Sequence, residues 1–148
     1  MIAHHGDYQL SDELARVDFA KVTAWLAGSY WSPGIERGEV ERGARHSSLV
    51  VGAYTADGAQ VGYARVASDR TRVGFFMDVF VDEAHRKRGL GRALVGFAMQ
   101  HPEHRPVYIW LLATDDAHGV YAALGFGPHP NPSRIMLLKK PWPRPIDG

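Results

Sequence analysis

The sequence predicts an α/β (α+β) fold in one domain, and three observations predict it. Strand-like and helix-like stretches alternate in the order strand, two helices, three-strand meander, helix, strand, helix, strand. Asp57-Gly58 between two apolar runs is the strongest hairpin signal in the chain and makes the meander antiparallel. No repeat, linker or low-complexity block divides the 148 residues, so a single domain over 1–148 is expected, with flexible ends at 1–7 and 140–148.

The elements follow in order. Tyr8-Gln9-Leu10 reads as a short first strand. Asp18 caps a helix whose apolar face is Phe19, Val22, Trp25 and Leu26, ending near Gly28. Pro33-Gly34 punctuates a loop from Ser29. Ile35 to Ala44 is a charged second helix. Ser48 to Thr55 and Gln60 to Val66 flank the Asp57-Gly58 turn, and Val73 to Val81 completes the meander. Leu90, Ala93, Leu94, Phe97 and Ala98 then repeat at helical spacing to about Gln100. Residues 101–106 are a proline-bounded stop. Val107 to Leu112 is an apolar run read as a buried strand. Asp115 or Asp116 caps a helix carrying Ala117, Val120, Tyr121 and Leu124, which Gly125 stops. Ile135 to Leu138 is expected as a last strand, and Pro141, Pro143 and Pro145 keep the remainder out of a sheet.

Composition narrows the function. Hydrophobic content of 45% with 22% charged residues is that of a globular protein, and a net charge of +1 advertises neither nucleic acid nor an anionic membrane. The basic character is local: Arg86, Lys87, Arg88 and Arg92 surround one turn, without the interleaved exposed aromatics of a nucleic-acid surface. The absence of cysteine removes disulfides, thiolate nucleophiles and zinc–thiolate sites. No signal-peptide core or membrane-length apolar run is present, so a cytoplasmic protein is expected, without membrane or nucleic-acid partners. His4-His5 and His101-x-x-His104 lack the spacing of a metal site, and no metal is expected. Ser47-Ser48 and Ser133 form no nucleophile elbow.

The most informative segment runs from Val79 to Leu94. A strand ending at Val81 leads through a basic turn to Gly89 and Gly91, at the start of the Leu90 helix. First-turn N–H groups have no intrahelical acceptors and the helix dipole favours an anion, so this segment reads either as a cradle for a pyrophosphate or as a solvated basic turn capping a helix. The strand before it and the apolar helix after it favour the cradle. A Walker loop would need Lys-Ser or Lys-Thr after its last glycine, but Arg92-Ala93 follows Gly91. A dinucleotide fingerprint would need a third glycine where Leu94 stands.

Arg86-x-x-Gly89-x-Gly91 after a strand resembles the acyl-CoA loop of the GNAT N-acyltransferase superfamily. Ala117-x-x-x-Tyr121-x-x-Leu124-Gly125-Phe126 resembles the second signature of that superfamily, in the same order along the chain. The resemblance implies a central, mostly antiparallel twisted sheet of about six to seven strands flanked by about four helices. It implies transfer of an acetyl group from acetyl-CoA directly to an amine acceptor, by a monomer or homodimer. The coenzyme site would comprise Val79, Phe80, Val81, Arg86, Lys87, Arg88, Gly89, Leu90, Gly91, Arg92, Asp116 and Tyr121. Tyr121 would be the general acid, since a phenol of pKa near ~10 remains a donor at neutral pH.

Asp78 has three readings: it deprotonates the acceptor amine, holds its charge, or caps a loop. A water chain in place of a side-chain base is a fourth arrangement. Tyr30 and Trp31, in the loop between the first two helices, either line the acceptor pocket or pack beneath the sheet. A small-molecule or amino-acid-like amine is the leading acceptor. A peptide or protein amine, or binding of acyl-CoA without turnover, are the alternatives.

Overall fold

The computed structural model describes residues 1–141. Six strands form one sheet in chain order: β1 Ile2–His5, β2 Tyr8–Ser11, β3 Leu49–Tyr54, β4 Gln60–Ser68, β5 Val73–Val81 and β6 Ile109–Leu111. Neighbours from β1 to β5 are antiparallel, and β5 with β6 is parallel. Four helices accompany them: α1 Phe19–Ala27, α2 Arg37–His46, α3 Leu90–Gln100 and α4 His118–Ala122. Strand and helix numbers, and the mostly antiparallel sheet, agree with the expected fold.

Helices cover both faces. On one, Leu90, Leu94, Val95 and Phe97 of α3 pack against Leu49, Val51, Val66 and Phe76 of the sheet. A Cβ on Gly62 would lie 3.1 Å from Leu94 Cδ1, so a glycine on β4 lets α3 approach. On the other, Val22 and Leu26 of α1 and Val40 and Ala44 of α2 pack on Val50 and Tyr63. β3 is therefore buried on both faces, which accounts for its unbroken apolar sequence. Asp18 caps α1 as expected, its Oδ1 accepting from Lys21 N at 3.1 Å.

Several boundaries differ. Ile2–His5, expected as part of a flexible end, is an edge strand paired residue for residue with β2. Its polar His4-His5 conceals it, because only one face of an edge strand needs apolar residues. α2 begins two residues after the expected Ile35, which instead packs as loop against the apolar cluster beneath α1. Glu41 bonds Arg37 at 2.6 Å one turn before it and lies 3.5 Å from Arg45 one turn after it. β6 keeps only three residues of the expected 107–112, because its pairing with β5 stops at Phe75–Leu111. Neither Asp115 nor Asp116 caps α4. Thr114 Oγ1 accepts from Ala117 N at 3.0 Å instead. Ile135 to Leu138 forms no strand, and all four side chains are exposed. Of the flexible end expected at 140–148, positions 142–148 lie outside the described residues.

Candidate active site

β5 carries the feature that shapes the site. Tyr63 pairs with Phe80 and Arg65 with Met77, so one residue of β4 faces two of β5, a β-bulge with Asp78 at φ +55°. The bulge resets the alternation. Val79 and Val81 join Phe76 against α3, while Phe80 stacks on Trp25 of α1 with ring centroids 5.3 Å apart. Asp78 shares the α1–α2 side with Phe80. Its Oδ2 accepts from Arg65 Nε at 2.6 Å and its Oδ1 from Trp31 Nε1 at 3.1 Å. A carboxylate in mid-strand thus has two partners. The bulge also follows the last paired residues of β5 and β6, so from Met77 to Val81 the outer edge of β5 has no strand beside it among the described residues.

Beyond Val81 a turn of 3₁₀ helix, Glu83–His85, leads into the basic loop. Lys87 has φ +62° and Gly89, at the N-cap of α3, φ +77°. These left-handed residues turn the chain into α3. From Lys87 to Arg92 no backbone N–H has an acceptor among the described residues. The carbonyl of Gly89 accepts from Ala93 N at 3.0 Å and starts the helix. Unpaired donors with a helix dipole behind them favour an anion at this point.

The four cations divide. Arg86 Nε donates to the Val81 carbonyl at 2.9 Å, with its guanidinium 5.3 Å from the Phe80 ring centroid. Arg88 donates to Tyr8 Oη at 3.0 Å. Lys87 and Arg92 are exposed, with no hydrogen bond or ion pair among the described residues, and supply the free charge.

The first hairpin braces this loop. Tyr8 Oη lies 2.8 Å from His85 Nδ1, and His5 Nε2 donates to the Arg88 carbonyl at 2.7 Å. A Cβ on Gly89 would lie 3.2 Å from His5 Nε2, so the hairpin restricts that position as well as its φ. Sequence reasoning missed Tyr8, His5 and His85, because a bond spanning about eighty positions leaves no periodic trace.

Tyr121 is in α4, 9% exposed, with its ring centroid 6.0 Å from that of Phe126. Its hydroxyl makes no hydrogen bond among the described residues. Burial, then the neighbouring Tyr30 and Asp116, push its pKa up, so it holds its proton. Gly125, at φ +97°, ends the helix, and Phe126 N returns to the Tyr121 carbonyl at 3.2 Å. Asp116 is exposed in the turn before α4 and contributes charge near Tyr121.

Tyr30 and Trp31 do not pack beneath the sheet. They are 50% and 38% exposed, with ring centroids 5.0 Å apart. Tyr30 Oη accepts from Asp115 N at 2.9 Å, tying the α1–α2 loop to the turn before α4. Next to Asp78 is an open cavity of about 420 Å³, lined by Glu39, Val40 and Gly43 of α2 and by Arg65 and Asp78 of the sheet. Glu39 is half-buried, and its carboxylate has no hydrogen bond or ion pair among the described residues. Burial, then Asp78 and Glu36, raise its pKa against the opposing pull of Arg65. A lone glutamate inside an amphipathic helix gave no sequence signal.

Among the described residues no cluster of three or more His, Cys, Asp or Glu could hold a metal ion. No helix among them is long and apolar enough to cross a membrane.

The unpaired amides at the start of α3, the exposed edge of β5 and the buried Tyr121 are the features found at the candidate site. The acetyltransferase (GNAT) family profile matches residues 13–126, and the chain belongs to that family. A protein of Xanthomonas campestris pv. campestris, described as belonging to the GNAT family, superposes with a TM-score of 0.84 at 34% identity, over 95% of this chain and 96% of that one. An acetyltransferase of Trypanosoma brucei (TM-score 0.66, 24% identity, 90% of this chain and 100% of that one) shares the fold. So does glucosamine-6-phosphate N-acetyltransferase of Arabidopsis thaliana (TM-score 0.64, 18% identity, 90% and 97%). A comparison with curated protein sequences finds no significant match. The protein is thus a GNAT-family acetyltransferase, and acetyl-CoA is the co-substrate of that family.

Proposed function

We propose that the chain acetylates the primary amine of a small-molecule or amino-acid-like acceptor by direct transfer. The observation that carries this reading is the row of unpaired N–H groups from Lys87 to Arg92, at one end of the open β5 edge. Those amides would hold the pyrophosphate, with Lys87 and Arg92 adding charge. The backbone from Val79 to Val81 would hold the extended pantetheine arm as an added strand. Acetyl-CoA supplies an acetyl thioester, whose departing sulfur needs a proton. The Tyr121 hydroxyl, kept protonated by burial, provides that proton.

Glu39, rather than Asp78, receives the acceptor amine. Asp78 already satisfies Arg65 and Trp31, so its work is to fix the bulge and hold Trp31 in place. Glu39 has an unengaged carboxylate of raised pKa beside the same cavity, suited to attract an ammonium and take its proton. The bond from Asp115 N to Tyr30 Oη closes the α1–α2 loop onto the turn before α4, which favours a compact acceptor over a peptide in an open groove.

A screen of amines for release of free coenzyme thiol tests the proposal. Turnover with at least one small amine is expected, lost in Tyr121→Phe. Acetyl-CoA binding without thiol release for any amine would favour a sensor instead, and turnover confined to peptides would favour the protein-acetylating alternative.

A further inference from the structure

The cavity beside Asp78 carries charges of both signs. Arg42 and His46, one turn apart on α2, line it together with Glu39 one turn earlier. Along a separate stripe of the helix Glu41 takes Arg37 and Arg45, whereas the Arg42 guanidinium has no ion pair among the described residues. A glutamate and an arginine three residues apart can pair across a turn. Glu39 and Arg42 do not, so both charges stay open to the same space. Arg65 adds a third donor. Its Nε donates to Asp78 and its Nη1 to Ser47 Oγ at 3.3 Å, but its Nη2 has no partner among the described residues. A Cβ on Gly43 would lie 3.7 Å from that Nη2, so the guanidinium lies against α2 beside Arg42. Basic residues in the last turn of a helix complement its dipole, which accounts for Arg45 and His46. Arg42 stands before that turn and has no such account.

We propose that the preferred acceptor is zwitterionic, with its ammonium at Glu39 and an anionic group, carboxylate or phosphate, held by Arg42, His46 and the open Nη2 of Arg65. The inference rests on the assignment of the amine to Glu39 and names the class of amine that fills the site. The charges balance: Asp78 and Arg65 neutralise one another, Glu39 matches the ammonium and Arg42 the anion. A guanidinium meets a carboxylate or phosphate through two parallel N–H groups, and an imidazole ring donates in either protonation state. Positions 39 and 42 are separated by about 5 Å along a helix axis, and positions 39 and 46 by about 10 Å. The two charged groups of the acceptor therefore stand several bonds apart. An α-amino acid, with both on one carbon, spans too little.

Rates of thiol release from acetyl-CoA test this in matched pairs: γ-aminobutyrate against γ-aminobutyramide, and O-phosphoethanolamine against ethanolamine. The anionic member of at least one pair should have the higher kcat/KM by about tenfold or more, as one charge-assisted hydrogen bond supplies. The pair that shows the difference distinguishes carboxylate from phosphate. Glycine should show a smaller preference over glycinamide, and an equal one contradicts the spacing. Arg42→Gln should bring the ratio within the pair towards one. Arg45→Gln removes the same charge from the same helix outside the cavity and should keep the ratio. An unchanged ratio in Arg42→Gln, or equal losses in both variants, overturns the anion site. Equal or lower kcat/KM for the anionic members, or turnover of other amines but of neither pair, overturns the zwitterionic acceptor and leaves amine acetylation standing. Thiol release with no amine at all overturns both.

Discussion

Buried Tyr121 and half-buried Glu39 both have raised pKa values and opposite proposed assignments, one to give a proton and the other to take it. Tyr121→Phe should lower kcat by about 10²–10⁴ with little change in acetyl-CoA affinity, because the phenyl ring keeps its packing on Phe126. Steady-state kinetics with calorimetric titration of acetyl-CoA measures both. Asp78 and Glu39 separate by a second comparison. Glu39→Gln should lower kcat/KM for the amine by on the order of 10²–10⁴ at an unchanged Tm. Asp78→Asn should lower Tm, since it leaves the Arg65 guanidinium, in a side chain 17% exposed, without its ionic partner. A rate loss of that size in Asp78→Asn at full stability, with none in Glu39→Gln, would return the base to Asp78. The two glycines of the cradle also differ. A Cβ at Gly91 would find ordinary contacts with Val120 at 3.6 Å and Val81 at 4.0 Å, whereas Gly89 combines φ +77° with the His5 ring at 3.2 Å. Gly89→Ala should therefore weaken acetyl-CoA binding more than Gly91→Ala or Lys87→Ala, by isothermal titration calorimetry.

At the level of elements, the sequence was most legible where a single face is buried against a periodic pattern. β5 was bounded correctly at Val73 and Val81, and α3 at Leu90 and Gln100, because the turn residues around them are strong and the apolar spacing is regular. It was least legible where pairing supplies the order. β1 is held by backbone bonds to β2, and its brace on the cradle loop is a set of polar contacts with no composition signal. The expected final strand misled for the opposite reason: Ile135 to Leu138 has strand character but no strand beside it among the described residues. Within the site, the two signatures marked the cradle and the phenol. Arg65, the partner that explains a mid-strand carboxylate, lies on another strand and was visible only as an odd charge in an apolar run. A conventional test of the fold belongs here. Leu94 is fully buried between α3 and the sheet, so Leu94→Ala should cost about 2–5 kcal/mol in a denaturant titration.

At the scale of the whole molecule, the His104 and Asp12 contacts should make stability depend on pH. His104 is 1% exposed. Its Nδ1 donates to the Ala98 carbonyl at 2.7 Å, and its Nε2 lies 3.0 Å from Ser48 Oγ, fastening the α3–β6 connection to β3. Burial lowers its pKa below the ordinary 6.5, with the Ala98 carbonyl opposing. The unfolded chain therefore binds the proton more readily, and stability falls as pH drops through and below 6.5. Asp12 acts further into acid. Burial pushes its pKa up, but the N-terminal ammonium and His101, 2.6 and 2.7 Å away, outweigh that and leave it below 3.8. Its contribution is present above that value and lost as pH falls through the folded pKa. Tm measured from about pH 7 to pH 5 should decline, and His104→Gln should flatten that decline while lowering Tm at the upper end. Equal slopes in both proteins would remove His104 as the cause.

The Tyr30–Asp115 bond joins the two halves of the reaction in a way that constrains how the enzyme can diversify. Tyr30, which in the proposed reaction would face the acceptor amine, also raises the pKa of Tyr121. Selection for a bulkier amine at position 30 would release the turn before α4 and retune Tyr121 in the same step. Broadened substrate range and retained turnover thus become coupled traits, to be recovered together by a compensating change at Thr114 or Asp115 rather than one at a time.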